Sequence, residues 1–399
     1  MSLRPSRQQS GPHLSRRAWL AQTARLAAGG VLASPLVTQR RGAAAYAHRP
    51  HEQASAAQAA ASGDDTAALG PPATDGDEPR EGDAPRTADE APRPARIAIT
   101  LDLEMSRNFP TWEATHWDYE KGNLDQPTKE YALEAARRVA RRGAAMHLFV
   151  VGRVCEQPQL DWLAEIAELG HRLGNHTYDH VNVTATRPED VQFRFQRAPW
   201  LIADRTPEEA IAENIRLTEE ALRSRLGIAP CGFRTPGGFH NGLADRPDVQ
   251  RLLAGLGYRW VSSKYPAHEI GPPQAPVSEQ VFASIVAAQA AAQPFVYPEG
   301  LVEIPMSPAS DITAFRSGRW ALDDFLEATR RGVAWAIAHG AVYDFLGHPS
   351  CLLVTDPEFR AIDLICDLAA AAGPRARLVT LDEIAAELAP GAACAEAQR

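Results

Sequence analysis

The sequence predicts an α/β fold, a single barrel-like domain of seven or eight strand–helix units. Three observations lead there. From about residue 96 onward, short runs rich in Val, Ile, Leu and Phe alternate with longer segments of helical apolar spacing. The competitor is an open doubly wound sheet, weakened because no Gly-rich strand–turn–helix fingerprint for a nucleotide occurs. The polar candidates for chemistry also fall at the carboxyl ends of the predicted strands, where parallel α/β folds keep their sites.

Each element has its own reason. Residues 96–104 (RIAITLDLE) read as a buried strand, and 128–143 as a helix ending at a glycine. Residues 145–152 (AMHLFVVG) form a second strand, 161–169 a helix, and a strand or loop runs into 174–180 (GNHTYDH). A long helix covers 207–226, and 231–236 (CGFRTP) make a strand and turn. The alternation continues with helix 247–256, strand 258–263, helix 278–291 and strand 301–307. Helix 322–339, strand 341–347, helix 357–372, strand 377–381 and a last helix complete the unit count.

The first 95 residues differ in kind. Residues 1–47 hold seven arginines and no acidic residue. Subtracting those seven charges from the net −9 leaves −16 on the rest. Ser15-Arg16-Arg17-Ala18-Trp19-Leu20 resembles a twin-arginine export signal, and a modest apolar run to Val37 follows. That run is too short and too broken by Gly and Pro for a stable membrane span. Ala45-Tyr46-Ala47 offers a small-x-small cut. The expected destination is the periplasm or cell envelope, with a basic arm as the other reading. Residues 48–95 are rich in Ala, Pro, Gly, Asp and Glu, and read as a disordered acidic linker. The catalytic domain is then 96–399.

Composition excludes some classes. The chain is acidic, with a pI near 5.8 and no basic stripe, which argues against nucleic acid. The five cysteines are odd in number and form no C-x-x-C, so buried free thiols are expected.

His176 and His180 stand four apart, as on one face of a helical turn, and they call for a third ligand. Asp102 and Glu104 are one residue apart on a strand and project to one face, opposite Leu101 and Leu103. Two buried carboxylates without partners would be costly. One of them with the two imidazoles makes a two-histidine, one-carboxylate site for a divalent cation, with open positions for water and substrate.

TLDLE (100–104), HTYDH (176–180), FRTPGG (233–238) and FLGHP (345–349) occur in an order that resembles polysaccharide deacetylases of the NodB-homology, carbohydrate esterase 4 type. The likeness covers about 96–388 and implies an irregular (β/α) barrel. It implies Asp102 as general base, Glu104, His176 and His180 as metal ligands, Arg234 as the partner of the base, and His348 as general acid. A backbone N–H near Gly237 then serves the oxyanion, and Gly237 and Trp260 are assigned to the substrate side. The implied cofactor is a divalent metal, Zn²⁺ first, with Co²⁺, Mn²⁺ or Ni²⁺ as the other candidates. The implied partner is an acetylated glycan.

There are departures from the pattern. Asp-Leu-Glu replaces adjacent aspartates, Gly237 stands where an aromatic residue is usual, and Trp260–Lys264 occupies the region of the fourth-motif acids. An allantoinase-like hydrolase of a cyclic amide and a catalytically silent carbohydrate-binding barrel therefore remain as alternatives. His147, His171 and His339 are expected to be structural, Glu303 and Asp311 to brace the rim, and Asp344 to be a buried hydrogen-bonding partner. Trp112, Trp117 and Tyr119 in the loop 105–127, and Phe193, Phe195 and Trp200 in 181–206, fit either a substrate rim or packing.

Overall fold

In the computed structural model the described residues are 93–105, 121–230 and 232–392. The predicted export signal, residues 48–92 of the predicted linker, Trp112, Trp117, Tyr119, Cys231, Cys394 and the side chain of Phe193 lie outside them.

Strand β1 (Ala95–Leu103) is central. It is buried along almost its whole length, as a strand covered on both faces must be. Strands β2 (His147–Val150), β3 (Arg172–Asn175), β4 (Gly232–Phe239) and β5 (Trp260–Lys264) follow, each parallel to the one before. Short β6 (Phe295–Val296) and β7 (Val302–Glu303) pair antiparallel, and β8 (Val342–Gly347) and β9 (Ala376–Leu378) run parallel to β1. The sheet order is β6-β7-β5-β4-β3-β2-β1-β8. Between β7 and β8 the wall is crossed by Ser307, whose N–H donates to Asp344 O at 2.9 Å. The result is an irregular, incompletely paired barrel.

Among the described residues the α-helices of seven or more residues are α1 (Gln126–Arg141), α2 (Asp161–Glu168), α3 (Pro207–Leu226), α4 (Pro247–Gly255), α5 (Glu279–Gln289), α6 (Leu322–His339), α7 (Pro349–Thr355), α8 (Arg360–Ala372) and α9 (Leu381–Leu388). Among the described residues no helix is long and apolar enough to cross a membrane.

Alternation along β1 sorts the interior. Ile97, Ile99, Leu101 and Leu103 join the core shared with α1, α6 and α8. Ala98 faces the barrel interior with Phe149, Trp260, Val302, Val342 and residues of α9, an apolar plug. Further along the same face come Thr100, Asp102 and Glu104, all buried and polar. Depth along the strand therefore separates the plug from the chemistry.

Several expected elements differ in extent. The strand expected at 301–307 shortens to Val302–Glu303; beyond it the N–H groups of Ile304 and Met306 still donate to Val261 O and Lys264 O of β5, and Ser307 then bonds across to β8. The helix expected from 357 starts at Arg360, since Asp356 caps the N–H groups of Arg360 and Ala361. Helix α7 and a π-helical segment, Ile312–Gly318, had no sequence signal. In 181–206, Phe195 is buried core and Trp200 is exposed. Cys155, Cys351 and Cys366 are buried free thiols, as expected.

Candidate active site

Arg234, on β4, is fully buried under the carboxyl end of the barrel. Its Nη1 donates to Asp102 Oδ1 at 3.1 Å and to Thr100 Oγ1 at 2.7 Å. Its Nη2 donates to Asp344 Oδ2 at 2.6 Å, and its guanidinium lies 4.3 Å from the centre of the Phe149 ring. A buried arginine of this kind needs such a complete set of partners. Asp344 also accepts from Thr100 Oγ1 at 2.9 Å, the partner role expected of it; burial pushes its carboxyl up to about 7, against the pull of Arg234.

The two imidazoles do meet, but not on a helical turn. Residues 176–180 form an irregular loop in which Thr177 and His180 have φ of 57° and 58°. Local hydrogen bonds impose these left-handed conformations. Asn175 Oδ1 accepts from the Thr177 N–H at 2.8 Å, and Thr177 Oγ1 from the Val181 N–H at 2.9 Å. Asn214, on α3, accepts from the Asp179 N–H at 2.8 Å. His176 Nδ1 lies 2.9 Å from the carbonyl oxygen of Arg234. That contact requires Nδ1–H and leaves the Nε2 lone pair facing the site.

Glu104, His176 and His180 bring one ligand atom each within 4.8 Å of one another. His180 Nε2 contacts Glu104 Oε2 directly, and His176 Nε2 lies 3.8 Å from the same oxygen. Glu104 Oε2 is buried and has no hydrogen-bond partner. Burial drives His180 down to about 4, so it presents a neutral imidazole at neutral pH. Burial alone would raise Glu104, but His180 and Lys121 outweigh it and hold the carboxyl well below its usual range. The donor set and the orphaned oxygen fit a divalent cation.

His348 sits just before α7. Its Nδ1 lies 2.8 Å from Asp311 Oδ1, and its backbone N–H donates to Asp311 Oδ2 at 2.7 Å. Its Nε2 points inward, 3.9 Å from Asp102 Oδ2 and 3.7 Å from Glu104 Oε1. Burial lowers the imidazole pKa, but Asp311 outweighs it and the net shift is upward. The residues on either side of Asp311 are tied down by Tyr265, whose OH bonds Ser310 Oγ at 2.9 Å and Thr313 Oγ1 at 3.0 Å.

Two sequence expectations need correction. Asp311 is no rim brace; it is fully buried on His348. Trp260 is no substrate residue. It is the first residue of β5, wholly buried in the plug, with its indole N–H donating to Asp382 Oδ1 at 2.9 Å. Gly232 makes room for it, since a Cβ there would lie 1.8 Å from the ring. Gly237 is exposed near the end of β4, with φ of 76°. Glu303 braces, accepting from the backbone of Ser263 and Lys264 and from Tyr297 OH. His171 bridges Met146 N–H and Ala136 O, His147 stacks on Phe149, and His339 lies 2.7 Å from Trp335 O. Lys121, in the loop 105–127, has no motif to mark it in the sequence; its Nζ is 2.5 Å from Glu104 Oε1.

Fold and site together define an α/β barrel with a two-histidine, one-carboxylate cluster at the carboxyl ends of its strands. Over residues 124–260 the chain matches the model of the polysaccharide deacetylase family. No curated protein matches the chain significantly. Among solved structures, a Pseudomonas aeruginosa PAO1 protein assigned as a polysaccharide deacetylase is 13% identical, with a TM-score of 0.50 over 76% of this chain and 97% of that one. This likeness is one of fold. A Mycobacterium smegmatis protein with the same assignment is 18% identical (TM-score 0.49; 77% of this chain, 94% of that one). PuuE allantoinase is 15% identical (TM-score 0.47; 76% and 97%).

Proposed function

We propose that the domain is a divalent-metal-dependent deacetylase that hydrolyses an N-acetyl or O-acetyl group of a polysaccharide such as peptidoglycan or an exopolysaccharide, and that the chain is exported to the periplasm or cell envelope. One observation carries the activity: Asp102 and His348 Nε2 flank the same Glu104/His176/His180 cluster, each fixed by its own buried partner.

A divalent ion held by Glu104, His176 and His180 would supply Lewis acidity toward the acetyl carbonyl. Asp102, aligned by Arg234, accepts a proton from the attacking water. As the water oxygen bonds to the carbonyl carbon, the bond from that carbon to the sugar nitrogen or oxygen breaks. His348 Nε2 gives its proton to the departing atom, and Asp311 stabilises the imidazolium beforehand. The backbone N–H groups near Gly237 are the protein's candidate donors to the oxyanion. The products are acetate and a free amine or hydroxyl.

The test is acetate release from peptidoglycan, chitooligosaccharides and secreted polymers by the metal-loaded protein, with a cyclic amide alongside. Acetate from any polymer supports the proposal. Ring opening of the cyclic amide alone would favour the allantoinase-like reading. No turnover despite bound metal would leave a carbohydrate-binding barrel.

A further inference from the structure

We propose that Lys121 is a positioning residue that tunes the cation site: it occupies Glu104 Oε1, so that only Oε2 is offered to the ion, and its charge weakens the hold on that ion. The inference rests on the metal-site reading above. Lys121 Nζ lies 2.5 Å from Oε1, in a side chain only 6% exposed. Lysine is seldom buried without a specific partner. Its backbone is pinned as well, because the Met105 N–H donates to Lys121 O at 2.9 Å. The next residue, Gly122, packs so closely that a Cβ there would be 2.5 Å from Arg153 Cβ. The ammonium is thus brought to one oxygen of Glu104, while the other faces His176 and His180.

Two effects follow. A carboxylate can bind a divalent ion through one oxygen or two; with Oε1 engaged, Glu104 is restricted to one. A fixed positive charge beside the ligand also opposes a second cation in a poorly screened site. The residue therefore favours a single ligand geometry at the cost of affinity.

Three variants separate these effects: Lys121→Met loses charge and hydrogen bond, Lys121→Gln loses the charge but keeps a donor, and Lys121→Arg keeps both. The full chain is stripped with chelator, its fold checked by circular dichroism, and titrated with Zn²⁺ and Co²⁺. Lys121→Met and Lys121→Gln are expected to bind about tenfold more tightly or better, and Lys121→Arg like the unaltered protein. The visible spectrum of the Co²⁺ form should change in Lys121→Met, as Glu104 becomes free to bind through both oxygens, and stay unchanged in Lys121→Gln. Unchanged or weakened affinity in both neutral variants overturns the proposal. If the unaltered protein itself takes up neither ion, the metal-site reading fails instead.

Discussion

Asp311 holds His348 at two points, with one carboxylate oxygen 2.8 Å from Nδ1 and the other 2.7 Å from the backbone N–H. The first contact fixes the tautomer and raises the imidazole pKa, and the second fixes the chain that carries it. An acid must be protonated to act, so activity should be lost as pH rises through the His348 pKa. Asp311→Asn removes the charge that raises that pKa. The alkaline limb of the kcat profile should therefore move to lower pH. A limb that stays where it was would remove His348 from the acid role.

Asp102 and Glu104 share a face but are assigned different work. Asp102→Asn should keep the ion and cut acetate release by roughly 10²–10⁴-fold. Glu104→Gln should weaken metal binding first, with partial recovery of activity in excess metal. His176→Ala combined with His180→Ala should abolish stoichiometric metal. Metal titration and acetate release on all three proteins decide the matter; ion loss in Asp102→Asn alone would reverse the two carboxylate roles.

Trp260 offers a test of the corrected position. Trp260→Ala should destabilise the fold by about 3–5 kcal/mol, because it empties the plug. The KM of the folded variant should stay the same. Chemical denaturation and steady-state kinetics measure the two separately, and a raised KM with normal stability would return Trp260 to the substrate side.

Export is expected to need the paired arginines. Arg16→Lys with Arg17→Lys should leave the precursor in the cytoplasm on cell fractionation. Normal export of that variant would leave only the basic-arm reading.

The sequence displayed some features more openly than others, for physical reasons. Helix α3 was read to its end residues because its signals are local: Thr206 and Glu209 form a capping box, and Gly227 closes the helix with φ of 71°. Helix α6 likewise stops at Gly340. The residues meeting at the barrel mouth were readable because strand ends mark it. The His176–His180 spacing misled, since a loop with left-handed residues can bring positions four apart together as a helix does. The pairing of Asp311 with His348 has no local signal, because the two lie 37 residues apart in sequence. Trp260 belongs to the plug because it opens β5, at the buried end of the strand, a depth that motif order alone does not carry.

Arg234 touches both halves of the site. Its carbonyl oxygen meets His176 Nδ1, and its guanidinium meets Asp102 and Asp344. Backbone and side chain of one residue thus serve different clients. A shift of β4 would drag His176 and Asp102 together, so their spacing survives small movements of the barrel wall. Replacement of the side chain alone, as in Arg234→Met, would spare the carbonyl and disturb the carboxylates together with Thr100, Ser262 and Phe149. The two halves are mechanically joined but can be uncoupled by mutation.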